Sequence, residues 1–193
     1  MIPSRAQSPS TPLPAKLAAL LRESRWLLLV AVAIYLVLIL YGYNRADPAW
    51  SHSASSVPIG NPGGAVGAWL ADVLLYVFGF SAWWWVVFLL LRVRMSYQSL
   101  HPDPQNPDGL FDKRALWLAL TGFTILLLSS TALEYIRMHS LAVQLPLAPG
   151  GMLGAILGNA LVHLLGFTGS TLFLIVLIAT GFSLFSGLSW LRL

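Results

Sequence analysis

The 193-residue sequence contains no cysteine and only two lysines, and Asp, Glu, Lys and Arg together make up 9% of it. A soluble domain carries about a quarter of its residues as charges, so this chain cannot cover a globular surface with solvated groups. Without cysteine, disulfides and thiolate metal sites are excluded. That composition fits a cytoplasmic membrane protein with one face toward an oxidising space. Neither Lys16 nor Lys113 follows a glycine, so no Gly-x4-Gly-Lys-[Ser/Thr] loop can cradle a phosphate. The sequence has no His-Glu-x-x-His, and no basic face interleaved with stacking aromatics for nucleic acid. His139 and His163 stand singly, without partners at metal-ligand spacing.

What the chain has instead is hydrophobic length, 57% of its residues. Four apolar stretches run over Trp26–Tyr43, Ala65–Leu91, Ala115–Leu133 and Phe167–Leu191. Each reaches the roughly 18–20 residues that carry a helix across a hydrocarbon core of about 30 Å, and none shows a recurring polar face. The fold class expected is all-α and membrane-embedded, with four spans. Of the eleven cations, nine (Arg5, Lys16, Arg22, Arg25, Arg92, Arg94, Lys113, Arg114 and Arg192) fall on one side if the chain crosses four times. Only Arg45 and Arg137 fall on the other. The positive-inside rule then puts both termini and the middle loop in the cytoplasm. A cleaved signal peptide does not fit the first run. It is preceded by 25 residues and ends in Tyr41-Gly42-Tyr43-Asn44, without a small-x-small cleavage site.

Between the spans, residues 1–15 are Pro- and Ser-rich and read as a disordered cytoplasmic tail, leaving 16–193 as the membrane domain. Lys16–Arg25 is expected as a short helix resting on headgroups. Asn44–Gly64 is dense in turn formers, and Trp50, Tyr41 and Tyr43 sit where an aromatic belt belongs. The second run, 27 residues over Ala65–Leu91, is long enough to tilt or to stand out of the core. Arg92–Arg114 reads as a solvated connector. Residues 151–165 are apolar but too short to span, and predict an interfacial or re-entrant helix before the fourth crossing. No repeat links the two halves, so inverted-repeat transporter logic finds no support.

Asp72 is the only acidic residue well inside an expected span, and ionisable groups there are costly and functional by default. Two small-residue rows accompany it, Gly64-Ala68-Asp72 and Gly63-Gly67-Ala71, each four apart, which turns Asp72 toward a helix rather than lipid. One reading makes Asp72 an interfacial carboxylate held by a backbone amide or hydroxyl; another makes it part of a proton or ion relay. A relay needs a second buried ionisable group, and the spans offer no obvious one. Gly150, Gly154 and Gly158 form another row, for packing within the chain or between subunits. Glu134 and Arg137, three apart, fit a helix-end ion pair. Gly79-Phe80-Ser81-Ala82 approaches the Gly-x-Ser-Gly of intramembrane serine proteases, but Ala ends it and the histidines lie at the far edge.

Four segments together resemble the N-terminal four-span membrane domain of FtsK-type bacterial DNA translocases. They are Asn44-Arg45-Ala46-Asp47-Pro48-Ala49-Trp50-Ser51, the run from Asn61-Pro62-Gly63-Gly64 through Gly67-Ala68-Trp69-Leu70-Ala71 to Asp72, Gly150-Gly151-x-x-Gly154, and Gly181 through Gly187 to Trp190. Their order and spacing agree over about Leu20–Leu193. The resemblance implies a membrane anchor and division-septum scaffold in the bacterial inner membrane, with other division proteins as partners. It also implies a low-complexity linker beyond Leu193 and a hexameric RecA-like motor. ATP, Mg and DNA would belong to that motor, so no cofactor or catalytic site is expected in this chain. Asp72, Gly63, Gly64, Gly67, Ala68, Asn44, Asp47, Pro48, Trp50, Gly150, Gly154, Gly158, Gly181, Gly187 and Trp190 are the structural or interaction candidates. A small transporter or channel subunit built on Asp72 is the alternative.

Overall fold

A computed structural model describes residues 15–51, 58–100, 113–138 and 145–187. The tail, the 101–112 connector, His139 and Trp190 lie outside the described residues. The architecture is α1 (Ala15–Tyr41), α2 (Gly64–Phe78), a 3-10 turn (Gly79–Trp83), α3 (Trp84–Leu100), α4 (Lys113–Arg137) and α5 (Gly151–Ser186). Among the described residues, four helical stretches are long and apolar enough to cross a membrane: Leu20–Tyr41, Gly64–Tyr97, Leu116–Arg137 and Gly151–Ser186. Their outward residues are large and apolar, among them Leu28 at 64% exposure, Leu164 at 75% and Val176 at 62%. Surfaces of that kind belong against lipid. The chain is a multi-pass membrane protein. Where the Trp26 ring meets Tyr97 of α3, the arginines at the start of α1 and those of α3 share one end, here called the basic end. The opposite end carries the loop 44–63 and is called the loop end.

Four boundaries differ from those expected. The short headgroup helix at Lys16–Arg25 is continuous with the first span, because nothing from Ala15 to Tyr41 breaks helical hydrogen bonding. The first part of the expected middle connector is helix, since α3 runs on to Leu100. The second crossing is not one helix. Gly79 has φ 61° and ψ −140°, a region closed to residues with a Cβ, and the chain resumes as a 3-10 turn before α3. Gly166 (φ 69°, ψ 174°) likewise divides α5 into limbs 151–165 and 167–186, and the fourth span stops at Ser186, capped by Gly187 with φ 71°.

Lipid tails are as apolar as leucine, so close packing and internal hydrogen bonds, not apolar burial, must hold such a bundle. Glycines supply the close packing. A Cβ on Gly181 would stand 2.7 Å from Leu126 N, and one on Gly122 2.5 Å from Phe185 N, so α4 and the second limb of α5 touch backbone to backbone. Gly158 lies as tightly on Tyr135, and Gly150 and Gly154 on the Thr131 carbonyl. The Gly150-Gly154-Gly158 row is therefore used within the chain. Toward the basic end α3 stands off from α4 and α5, and rings fill the space: Trp85–Phe123 at 5.1 Å, Phe88–Phe123 at 4.7 Å and Phe123–Phe185 at 5.3 Å. Hydroxyls within the helices bond back to carbonyls one turn earlier, as Ser129 does to Ile125 and Ser170 to Gly166, which lets them sit in hydrocarbon.

Candidate functional site

At the loop end the two motif segments grip each other through a pair of carboxylates. Asp47, 2% exposed, accepts the backbone N–H groups of Gly60 at 2.7 Å and Asn61 at 2.9 Å. Asp72, fully buried, accepts the Ser51 N–H at 2.7 Å, the Ser51 hydroxyl at 2.9 Å and the Tyr43 phenol at 3.2 Å. The first motif thus clamps the second, and the second clamps the first. Asn61 adds a third tie. Its amide donates to Ile39 O at 2.9 Å and Gly42 O at 3.2 Å, satisfying carbonyls that the end of α1 leaves open. Its Oδ1 accepts the Gly63 N–H at 2.9 Å and starts α2 as an Asx turn does.

Of the two readings of Asp72, the bonds fit the interfacial carboxylate held by a backbone amide and hydroxyls: Ser51 of the returning loop and Tyr43 just before it bring three donors to the buried group. The two small-residue rows also part company. Gly63 and Gly67 would place a Cβ 2.5 Å and 2.8 Å from the Ile39 methyl, so that row seats α2 on α1, with Ala71 buried behind it. Gly64 is exposed with open space around it, and only Ala68 and Asp72 of its row are buried. Asn44 accepts the Ala46 N–H at 3.0 Å in a local turn, and Pro48 follows half-buried. Trp50 lies edge-on to Tyr76 at 4.9 Å, half its surface open beside the loop. Tyr43 stands two residues beyond the end of the first span. Burial, then the neighbouring Asp72 charge, pushes its phenol well above the ordinary range.

A third carboxylate, Glu134, was not singled out as a site and proves to be one of the most connected side chains. It is 5% exposed and accepts the Ser81 N–H at 3.0 Å, the Ser81 hydroxyl and the Ser130 hydroxyl at 3.2 Å. Trp84 Nε1 completes the cluster by donating to Ser130 Oγ at 3.2 Å. Glu134 therefore binds an amide that the break at Gly79 exposes, in the middle of the second crossing, and ties it to α4. A Cβ on Gly79 would lie 2.5 Å from Gly151 N, so the two glycine turns meet back to back beside the carboxylate.

The expected Glu134–Arg137 ion pair does not form. Arg137 turns the other way, donating to Thr171 Oγ1 at 3.1 Å with its guanidinium 4.4 Å above the Phe167 ring. The sequence signal for the cluster was the Gly79–Ser81 pair, since Gly and Ser together are a common cause of a sharp helix bend. Ser81 spends its hydroxyl on Glu134 and Ser130. His163 is exposed on the first limb of α5.

Residues 18–193 match the family described as the 4TM region of DNA translocase FtsK/SpoIIIE. The chain is 48% identical over 181 residues to DNA translocase FtsK 2 of Ralstonia nicotianae, covering 94% of this chain and 23% of that protein. DNA translocase FtsK 1 of Neisseria meningitidis serogroup A is 33% identical, over 93% of this chain and 22% of its own length. DNA translocase FtsK of Pseudomonas syringae pv. syringae is 32% identical, over 89% and 21%. The chain thus spans less than a quarter of the curated relatives it matches. No solved structure matches it. With the family matched from residue 18 to the last residue, and the motif segments locked together at the loop end, the chain belongs to the four-transmembrane (4TM) region family of the DNA translocases FtsK/SpoIIIE.

Proposed function

We propose that this chain is the membrane anchor and division-septum scaffold of an FtsK-like DNA translocase, whose ATP-driven motor couples chromosome segregation and dimer resolution to division. The observation that carries this reading is the reciprocal clamp of Asp47 and Asp72. Two motif segments clamped to each other, with Trp50 half open beside them, suit docking to other division proteins on the far side of the membrane. By the positive-inside rule the basic end and both termini lie in the cytoplasm, where a motor would meet DNA. DNA, ATP and Mg, and the hexameric state that goes with a ring motor, belong to the part of the protein beyond this chain. The Gly150 turn beside Gly79 further supports reading residues 151–165 as re-entrant rather than interfacial.

The rival reading, a transporter or channel subunit, requires Asp72 to exchange protons or ions. Its bonds to Ser51 and Tyr43 favour a structural carboxylate instead. Replacing the native gene with a fluorescent fusion carrying Asp72→Asn separates the two. The anchor reading predicts lost septal recruitment or lowered protein level. A correctly placed, stable protein that has lost only an ion flux would overturn it.

A further inference from the structure

We propose that the groove at the basic end holds one anionic phospholipid, with its phosphate on Arg92 and Arg94 and an acyl chain between α3, α4 and α5. The groove has a volume of about 400 Å³, within the roughly 300–1,000 Å³ of ligand sites. Its existence follows from the packing. Gly122 and Gly181 draw α4 and α5 together, while the Trp85, Phe88 and Phe123 rings hold α3 away. Past Phe88 no described residue fills the gap between α3 and the α4–α5 pair. Its walls are apolar, among them Leu91, Leu116, Leu120 and Leu184, and Arg92 and Arg94 line it from the α3 side.

Apolar walls with cations at one end match an amphiphile with a single charged head. Guanidiniums take phosphate oxygens in pairs, and basic pockets between spans on the cytoplasmic side are suited to anionic headgroups. Lys113 opens α4 at this same end, where the helix start also favours negative charge. A free phosphate would have no use for the leucine walls.

Placing the groove in the cytoplasmic leaflet rests on the orientation proposed above; lipid binding itself does not. The chain is exchanged into nanodiscs containing equal phosphatidylglycerol and phosphatidylcholine, then extracted and repurified in lipid-free detergent, and the lipid each chain retains is counted by mass spectrometry. The expected result is at least fivefold enrichment of phosphatidylglycerol. R92Q/R94Q abolishes that enrichment, and R22Q/R25Q, equal in lost charge, leaves it. Leu120→Trp, which fills the groove without touching a charge, reduces it in a protein of unchanged melting temperature. Should Leu120→Trp fail to fold, Leu116→Phe serves the same arm. Equal retention of both lipids overturns the proposal, as does enrichment insensitive to groove filling, which would mean surface attraction alone. Displacement of the lipid by millimolar inorganic phosphate also overturns it, in favour of a phosphate site. Nanodiscs present both leaflets alike, so failure here leaves the orientation untouched. The orientation falls separately if Gln98→Cys, in this cysteine-free chain, is labelled from outside the cell.

Discussion

The Asp72 carboxylate accepts both the backbone N–H and the hydroxyl of Ser51, 21 residues earlier in the chain, at 2.7 and 2.9 Å. One buried acid thereby fixes the height at which the first loop returns to the bundle. Asp72→Asn keeps the size but loses the charge and one acceptor. Bonds to charged groups contribute about 1.5–3 kcal/mol each, so the variant should lose about 2–3 kcal/mol. Thermal unfolding in detergent reads this directly. An unchanged melting temperature would deny Asp72 its structural role.

Glu134 should matter as much, although it belongs to no motif. Glu134→Ala leaves the Ser81 amide buried without its acceptor, at roughly 1–3 kcal/mol for the orphaned group, and leaves the hydroxyl only Ser130. Ser81→Ala removes only the hydroxyl and should cost less than half as much. Equal losses in the two variants would mean that the break at Gly79 does not depend on Glu134.

Gly79 and Gly166 allow backbone strain to be separated from crowding. Both sit at φ near +65°, with extended ψ. Around Gly166 there is open space, whereas Gly79 abuts the Gly150-Gly151 backbone. Gly166→Ala should cost only the strain, about 1–3 kcal/mol. Gly79→Ala adds a clash between backbones that cannot yield and should fail to assemble. Similar melting temperatures for both would show that the two turns are not in contact.

Tyr43 gives a pH signature. Its phenol titrates above the unfolded value of about 10, since burial and the Asp72 charge favour the protonated form. The stabilisation is thus complete below pH 10 and is lost as pH climbs from there toward the folded-state value. Tyr43→Phe should flatten that alkaline decline in melting temperature relative to the unsubstituted chain. An identical slope in both would refute the contact.

The spans and their number were legible because hydrocarbon thickness dictates length and composition, and the outer motifs because Asp, Asn, Pro and Gly have few uses at a span edge. Two features were hidden. Hydropathy is blind to φ, so the Ala65–Leu91 run read as one helix although Gly79 breaks it. Spacing along a helix made Glu134 and Arg137 neighbours, but the decisive partner, Ser81, lies 53 residues away on another element. That an amide or hydroxyl holds Asp72 was among the readings of the sequence; that Ser51 supplies both was not, because a loop has no periodicity to read.

The reciprocal clamp is tested most directly by a double-mutant cycle on Asp47→Asn and Asp72→Asn, followed by thermal unfolding in one detergent. If the motifs form one unit through the loop between them, the first loss weakens what the second can remove, and the coupling energy should reach about 1 kcal/mol or more. Losses that add to within about 0.3–0.5 kcal/mol would show two independent sites and contradict the account.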